Sequence, residues 1–434
     1  MKPSPRLCLM PAAVAAALTA AAATPASAAE EPERRVQVAM VNFTDSRIPD
    51  AGKLETALKD NYFGAEGSLT SYYNEVTGGA TTFKAAEGDG ITGPVDIDLA
   101  ATGCDTGKIN DLTRTALAAK GVPEESYDHL SLVFPSEKAG CDWLALGTVG
   151  GGTTWMPVAA DGKMSMTALV HEFGHNFGYS HHMRLRCPDG DLGEACEEDG
   201  TSHKTPMGGG GWEAGLTSPE LLHNKWLTGG EVAKVGKSAT YTLRPLYGEG
   251  SGVRALDIPL GEDRLVVELR HESGTVDGGI QGVHAYRVPA KDYAKSALVD
   301  PTPDADGSDS GAPADADALK AGATLTDKAR EVEVEVVKAG AETATVRVSL
   351  DGVAAPEEAA ATPRPVEAGP ANTPNAARPA GASTELAETG GDADTTLAYS
   401  VGGGLMLALG GAFLLKSRAR RVAVTSPSGR RRSR

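Results

Sequence analysis

The sequence predicts an α+β protein: a mixed sheet with helices in its first two hundred residues, followed by a segment built of strands alone. Three observations predict it. Apolar runs with strand character alternate with segments of helical period up to about residue 180. After residue 230 a period of two takes over, as where Val332, Val334 and Val336 alternate with Glu333 and Glu335. Residues 351–385 are rich in Ala, Pro and Glu, with too few large apolar side chains to fold, and form an extended spacer.

The elements follow in order. Residues 35–43 place Val36, Val38, Met40, Val41 and Phe43 in one apolar run, the mark of a buried strand. Residues 53–62 and 68–76 read as helices; Leu69, Tyr72, Tyr73 and Val76 share a face, and Gly78-Gly79 stops the second. Residues 81–97 read as strands broken at Gly88, Gly90 and Gly93, and residues 106–120 as a helix stopped by Gly121. Residues 130–134, 143–147 and 153–158 read as strands, and 164–179 as a helix. Beyond residue 230, strands are expected at 240–246, 253–259, 264–270, 282–288, 332–337 and 343–350, a β-sandwich-type domain over 231–350. No internal repeat is evident.

The chain of 434 residues is long enough for two or three domains. Its formal charge of −17 understates the acidity of its body. Ten of the 41 Lys and Arg lie in residues 1–29 and 416–434, which hold no acid, leaving 31 positive against 58 negative charges, a net of −27. A body so acidic repels phosphate backbones, so no nucleic-acid partner is expected.

The two ends have their own logic. Lys2 and Arg6, an apolar stretch from Leu7 to Ala23, and Ala26-Ser27-Ala28 before Glu30 make the charge, apolar and small-residue order of a secretory signal peptide over 1–29. Near the other end stand Leu386-Ala387-Glu388-Thr389-Gly390, then residues 397–415 with no charge, then the basic tail 416–434. Nineteen residues of helix reach about 28 Å, enough to cross a membrane, and the positive tail stays in the cytoplasm. Pentapeptide, span and basic stop resemble a sortase sorting signal of the Leu-Ala-x-Thr-Gly kind found in Gram-positive actinobacteria. That resemblance implies cleavage between Thr389 and Gly390, attachment of Thr389 to peptidoglycan, and an extracellular, wall-anchored protein with sortase as a partner. A plain single-pass membrane protein is the alternative.

Cys8 leaves with the signal peptide, and Cys104, Cys141, Cys187 and Cys196 remain, an even number suited to an oxidising compartment. Four cysteines allow three connectivities. Pairing of near neighbours, Cys104–Cys141 and Cys187–Cys196, is expected.

The most informative segment runs Val170-His171-Glu172-Phe173-Gly174-His175-Asn176-Phe177-Gly178-Tyr179-Ser180-His181. On a helix His171 and His175 share one face, about 6 Å apart along the axis, so both can reach one ion at about 2.0–2.1 Å. Gly178 can take a positive φ and turn the chain, bringing His181 back as a third nitrogen. Three neutral histidines plus a water describe a catalytic zinc site, with Glu172 beside its open position. Spacing favours His181 over its neighbour His182. The acidic residues 189–199 could bind Ca2+, but a solvated charged loop is the default expectation.

His-Glu-x-x-His-x-x-Gly-x-x-His resembles the signature of the metzincin metalloproteases, in which a Met-containing turn floors the metal. Met207 in Thr205-Pro206-Met207-Gly208-Gly209 stands where that turn is expected. Within the clan, VAMVNFTD at 38–45, SYYNEVTGGATTF at 71–83, and LTSPELLHNKWL at 216–227 resemble the gametolysin-like secreted peptidases. The resemblance covers roughly residues 35–230. It implies a catalytic domain over 30–230, with a twisted sheet, a floor formed by the motif helix and a small lower subdomain after Gly178. It also implies one catalytic Zn2+, Glu172 as general base, and an extended polypeptide substrate paired to a sheet edge within 143–158, kept open by Gly150–Gly152. Gly209 occupies the place where some relatives carry a metal-switching Tyr. A monomer is expected. Two other readings stay open: a surface adhesin whose metal site is not catalytic, and a hydrolase of wall peptides or glycoproteins.

Overall fold

The structure, a computed structural model, describes residues 33–159, 161–193, 196–301, 313–357 and the strand 386–389. The expected signal peptide, most of the spacer, Gly390, the apolar span 397–415 and the basic tail lie outside the described residues. Among the described residues no helix is long and apolar enough to cross a membrane.

The first sheet is organised by β1 (Glu33–Asn42), whose residues beyond Arg35 are all buried. Its alternation serves both faces. Val36, Val38 and Met40 join the core beneath α1 (Ala51–Phe63), α2 (Leu69–Val76) and α4 (Met166–Asn176). Ala39, Val41 and Phe43 join Ile109 and Leu117 of α3 (Thr106–Ala119) on the other side. A strand covered on both faces is continuously apolar, as the sequence required. Each large side chain such as Leu58 or Tyr62, fully buried here, contributes roughly 1.5–3 kcal/mol over its exposed state. Each helix starts at a capping oxygen: Asp50 accepts from Lys53 N, Ser68 from Ser71 N, Asp105 from Lys108 N and Ser165 from Ala168 N.

β2 (Thr82–Ala85), β3 (Ile91–Asp96) and β4 (His129–Pro135) all run parallel to β1, and β6 (Thr153–Val158) runs parallel to β4. β5 (Ala145–Thr148) turns back and pairs antiparallel with β6. The Gly150–Gly152 turn was expected to leave the outer edge of β5 open. In the structure that edge is paired with a strand from the same chain, residues Leu386–Thr389.

After α4 the chain forms β7 (Met183–Arg186) and β8 (Glu197–Thr201), an antiparallel pair. The acidic stretch 189–199, expected as a solvated loop, thus ends in a strand. The reason is charge pairing: Arg184 Nη2 lies 2.9 Å from Asp199 Oδ2. A short helix, α5 (Ser218–His223), and β9 (Val232–Lys234) follow, then β10 (Ala239–Leu243), β11 (Ala255–Leu260), β12 (Asp263–Arg270), β13 (Gly282–Val288) and β14 (Ala297–Asp300). β14 pairs parallel with β7, so one sheet, ordered β8-β7-β14-β13-β12-β11-β9, draws strands from both sides of residue 231. β15 (Thr324–Asp327), β16 (Val332–Ala339) and β17 (Ala344–Ser349) join β10 in a second, antiparallel sheet. Leu265 and Val267 of the first of these sheets and Val334, Val336, Val346 and Val348 of the second share one apolar core. Cys104–Cys141 and Cys187–Cys196 are bonded, with sequence separations of 37 and 9. In the chain-entropy treatment such loops stabilise by about 4 and roughly 2–3 kcal/mol.

The opposite face of β12 carries charge inward. Arg270 is 1% exposed and pairs with Glu268 at 3.0 Å and with Asp277. It also donates to the carbonyl of Lys204 at 3.1 Å and of Gly215 at 3.2 Å. Ser218 N donates to Glu268 at 2.6 Å. This network fixes the residues on either side of Met207 against the β-rich sheet.

Candidate metal centre

The centre begins with α4. Residues Ala168 through Asn176 are all buried, so this helix is packed on every side rather than amphipathic. It ends at Asn176, earlier than the period alone suggests, because Gly178 adopts φ +96° and reverses the chain. The Tyr179 N–H closes back onto the Gly174 carbonyl at 3.2 Å. Tyr179 is then anchored by its hydroxyl, which donates to the Glu220 carbonyl at 3.0 Å and accepts from Asn224 Nδ2 at 2.8 Å. The turn leaves His181 facing His171 and His175.

The three rings converge. Centroids lie 4.6 Å apart for His171 and His175, 5.2 Å for His171 and His181, and 5.1 Å for His175 and His181. One ligand nitrogen from each lies within 4.8 Å of the others. His171 Nδ1 is 2.7 Å from the Pro206 carbonyl, and His175 Nδ1 is 2.7 Å from the Tyr179 carbonyl. A carbonyl only accepts, so both Nδ1 atoms carry hydrogen and both Nε2 atoms present lone pairs. Those two Nε2 atoms stand 2.9 Å apart. Two lone pairs at that distance repel, and a cation held between them turns repulsion into coordination. The donor set therefore fits a divalent metal bound by imidazole nitrogens, with each ring aimed by a backbone carbonyl. Burial holds His171 well below the ordinary histidine range, with the neighbouring His175 and His181 acting in the same direction. Burial likewise pushes His175 down to about 4. Both are neutral at physiological pH, the form that ligates.

Met207 is fully buried beneath the helix. Gly174 meets it so closely that a Cβ at 174 would overlap Met207 Sδ. Met207 O accepts from His182 N at 2.8 Å, which ties the turn to the residue after His181. His182 itself points elsewhere: it is buried against Tyr286, with Nε2 3.2 Å from Ser296 Oγ. At Gly209 a Cβ would come 2.8 Å from His203 Nε2, so a larger residue in that position would have to displace the His203 ring.

Glu172 is fully buried and lies beside β5. Asn176, which the sequence reading did not single out, sets that relationship. Its Nδ2 donates to the Thr148 carbonyl at 3.0 Å and the Thr153 carbonyl at 3.2 Å, while Oδ1 accepts from His129 Nδ1 at 3.1 Å. The helix end is thereby clamped to both strands of the β5–β6 hairpin. The sequence offered little signal for it, since Asn176 is one of several polar residues on α4, alongside His171, Glu172 and His175.

The model of the gametolysin peptidase M11 family matches residues 104–257, about a third of the chain. That segment includes the three histidines, Glu172 and Met207, and the match supports a metalloprotease-like family. It begins well after residue 35 and runs past residue 230. No curated protein matches. Among solved structures, one described as a chaperone–substrate complex is 12% identical, with a TM-score of 0.20, covering 34% of this chain and 24% of its own. The chain thus spans about a quarter of that protein's length. Catalytically inactive OgpA from Akkermansia muciniphila, in complex with an O-glycopeptide substrate, is 13% identical with a TM-score of 0.29, covering 56% of this chain and 72% of its own.

Proposed function

We propose that the protein is a secreted, cell-wall-anchored zinc endopeptidase that hydrolyses peptide bonds in extracellular proteins. The observation that carries this reading is the convergence of two carbonyl-aimed imidazole lone pairs and a third histidine beside a buried carboxylate and a sheet edge. His171, His175 and His181 would hold the metal, which when bound polarises a scissile carbonyl and lowers the pKa of a water. Glu172 takes a proton from that water as general base and returns it to the departing amine. Pairing with β5 lays an extended peptide alongside Glu172. Packing of α4 keeps the carboxylate in a site from which bulk water is largely excluded, where fixed charges act more strongly.

The test is Glu172→Ala. The variant should retain one zinc per chain and its fold while losing hydrolysis of casein or a peptide by a factor of at least 100. Retained turnover would remove Glu172 from the role. Attachment is tested separately. A chain lacking residues 386–390 should move from the wall fraction to the membrane or medium, and unchanged wall attachment would contradict sortase processing.

A further inference from the structure

The outer edge of β5 is filled by this chain itself. Leu386–Thr389 forms β18, antiparallel to β5, with Leu386 opposite Thr148, Ala387 opposite Gly147, Glu388 opposite Leu146 and Thr389 opposite Ala145. The same strand also lies against α4. Gly147 is the residue packed directly on Glu172. The segment therefore crosses the position beside Glu172 where an extended peptide would have to pair. A strand edge offers one row of N–H and C=O groups, so it accepts one strand at a time.

We propose that Leu386–Thr389 is an intramolecular, substrate-like occupant of the β5 edge, which competes with polypeptide substrate for that edge. The proposal rests on the peptidase reading above for its consequence, though not for the docking itself. The tether is adequate: 28 residues separate Glu357 from Leu386, and at about 3.3–3.6 Å each they reach roughly 90–100 Å. A tether of this kind holds its end near the edge at an effective concentration on the order of millimolar, high enough for a weak strand to compete and low enough for it to leave. The occupancy is also reciprocal. Residues paired to β5 are unavailable to any second protein that must grip them in extended form.

The experiment compares the full chain with its Ala387→Pro/Glu388→Pro variant. In an antiparallel pair alternate residues bond, so consecutive prolines remove a ladder donor whichever register position supplies it. Hydrogen exchange at the Ala145–Thr148 amides should accelerate at least about tenfold in the variant. KM for a fluorogenic peptide should fall about three- to tenfold with kcat unchanged, the signature of a lost competitor. Equal exchange at 145–148 in the two proteins would overturn the docking. Faster exchange with an unchanged KM would overturn the competition. If neither protein cleaves any peptide, the peptidase reading fails on its own and exchange still decides the docking.

Discussion

Gly147 of β5 lies against Glu172 of α4 without room for a side chain: a Cβ there would fall 2.7 Å from the Glu172 carbonyl oxygen and 2.9 Å from its Oε2. Strand and helix are thus in backbone contact at the carboxylate. The distance between Glu172 and any peptide paired to β5 is set by main chain, with Asn176 clamping the far end of the same contact. Such rigid placement suits a proton-transfer group, since misplacement by about 1 Å can cost about 100-fold in rate.

Gly147→Ala should therefore act on catalysis out of proportion to its size. The added methyl must displace backbone as well as the carboxylate, which costs about 1–3 kcal/mol in stability. Peptide hydrolysis should fall at least about tenfold while zinc content is unchanged. Parallel measurement of kcat/KM, metal content and denaturant unfolding checks this, and full activity would show that the carboxylate is free to move.

Gly174 gives a second test of close packing. In an exposed helix Gly→Ala stabilises by about 1 kcal/mol. Here the new Cβ would overlap Met207 Sδ, so Gly174→Ala should destabilise instead, by about 1–3 kcal/mol. Met207→Ala alone opens a cavity under the helix and should cost about 2–5 kcal/mol. In the double variant the overlap is gone, so the combined loss should be smaller than the sum by at least about 1 kcal/mol. Urea unfolding of the four proteins measures the coupling, and simple additivity would contradict the contact.

His129 predicts a loss of stability in acid. Burial pushes it down to about 4, with nearby Arg34 acting in the same direction and the Asn176 hydrogen bond and Asp128 acting against it. The unfolded ring binds a proton below about 6.5 and the folded ring does not, so the unfolded state gains protons first. Stability from this residue is complete above about 6.5 and is lost as pH falls towards 4. The loss is about 3 kcal/mol at most. Unfolding of wild type and His129→Gln at pH 7.5, 5.5 and 4.5 should show a shallower acid decline in the variant.

Glu220 has the opposite sign. Burial raises its carboxyl to about 7, although Thr217 N, Thr205 and Thr217 hydroxyls donate to it and Arg270 is nearby. The folded group keeps its proton where the unfolded one has lost it. Its contribution is complete below about 4.5 and is lost as pH rises through about 7. Glu220→Gln should be less sensitive to pH between 5 and 8 than wild type in the same unfolding experiment. An unchanged slope would mean that the carboxyl is ionised in the fold.

Metal removal should loosen the centre without unfolding the sheets. Chelation lowers the melting temperature, and adding back zinc restores it by mass action. His175→Ala should show no such rise and should bind less than one ion per chain by elemental analysis. A melting temperature indifferent to zinc in the unsubstituted protein would count against the three-histidine site.

Much of this was legible in the residues. The spacing of His171, His175 and His181 with Gly178 between is a local code, since a helix fixes the first pair and one positive φ fixes the third. The strand at 35–43 was legible because burial on both faces makes a continuous apolar run. The wet face of β16 was legible because Glu333 and Glu335 alternate with buried valines. The same alternation in β12 points outward in sequence terms, yet Glu268 and Arg270 are buried at 0% and 1% exposure. Alternation tells which side chains share a face and not what covers that face. Short β7, β8 and β14 also escaped, since four or five residues carry little periodicity, and β14 takes its place by pairing with β7 more than 100 residues earlier in the chain.

The sequence by itself determined the three histidines, their order and the helix that carries the first two, because those depend on neighbours within one or two turns. Only the tertiary structure decided that Pro206 and Tyr179 carbonyls aim the rings, that Gly147 touches Glu172, and that Leu386–Thr389 lies on β5. These contacts join residues between four and about 240 positions apart, and the longer ones exist because packing of α4 against β5 leaves one sheet edge beside the carboxylate. Residue identity sets which groups can bond, while the closure of the chain around its core sets which of them meet.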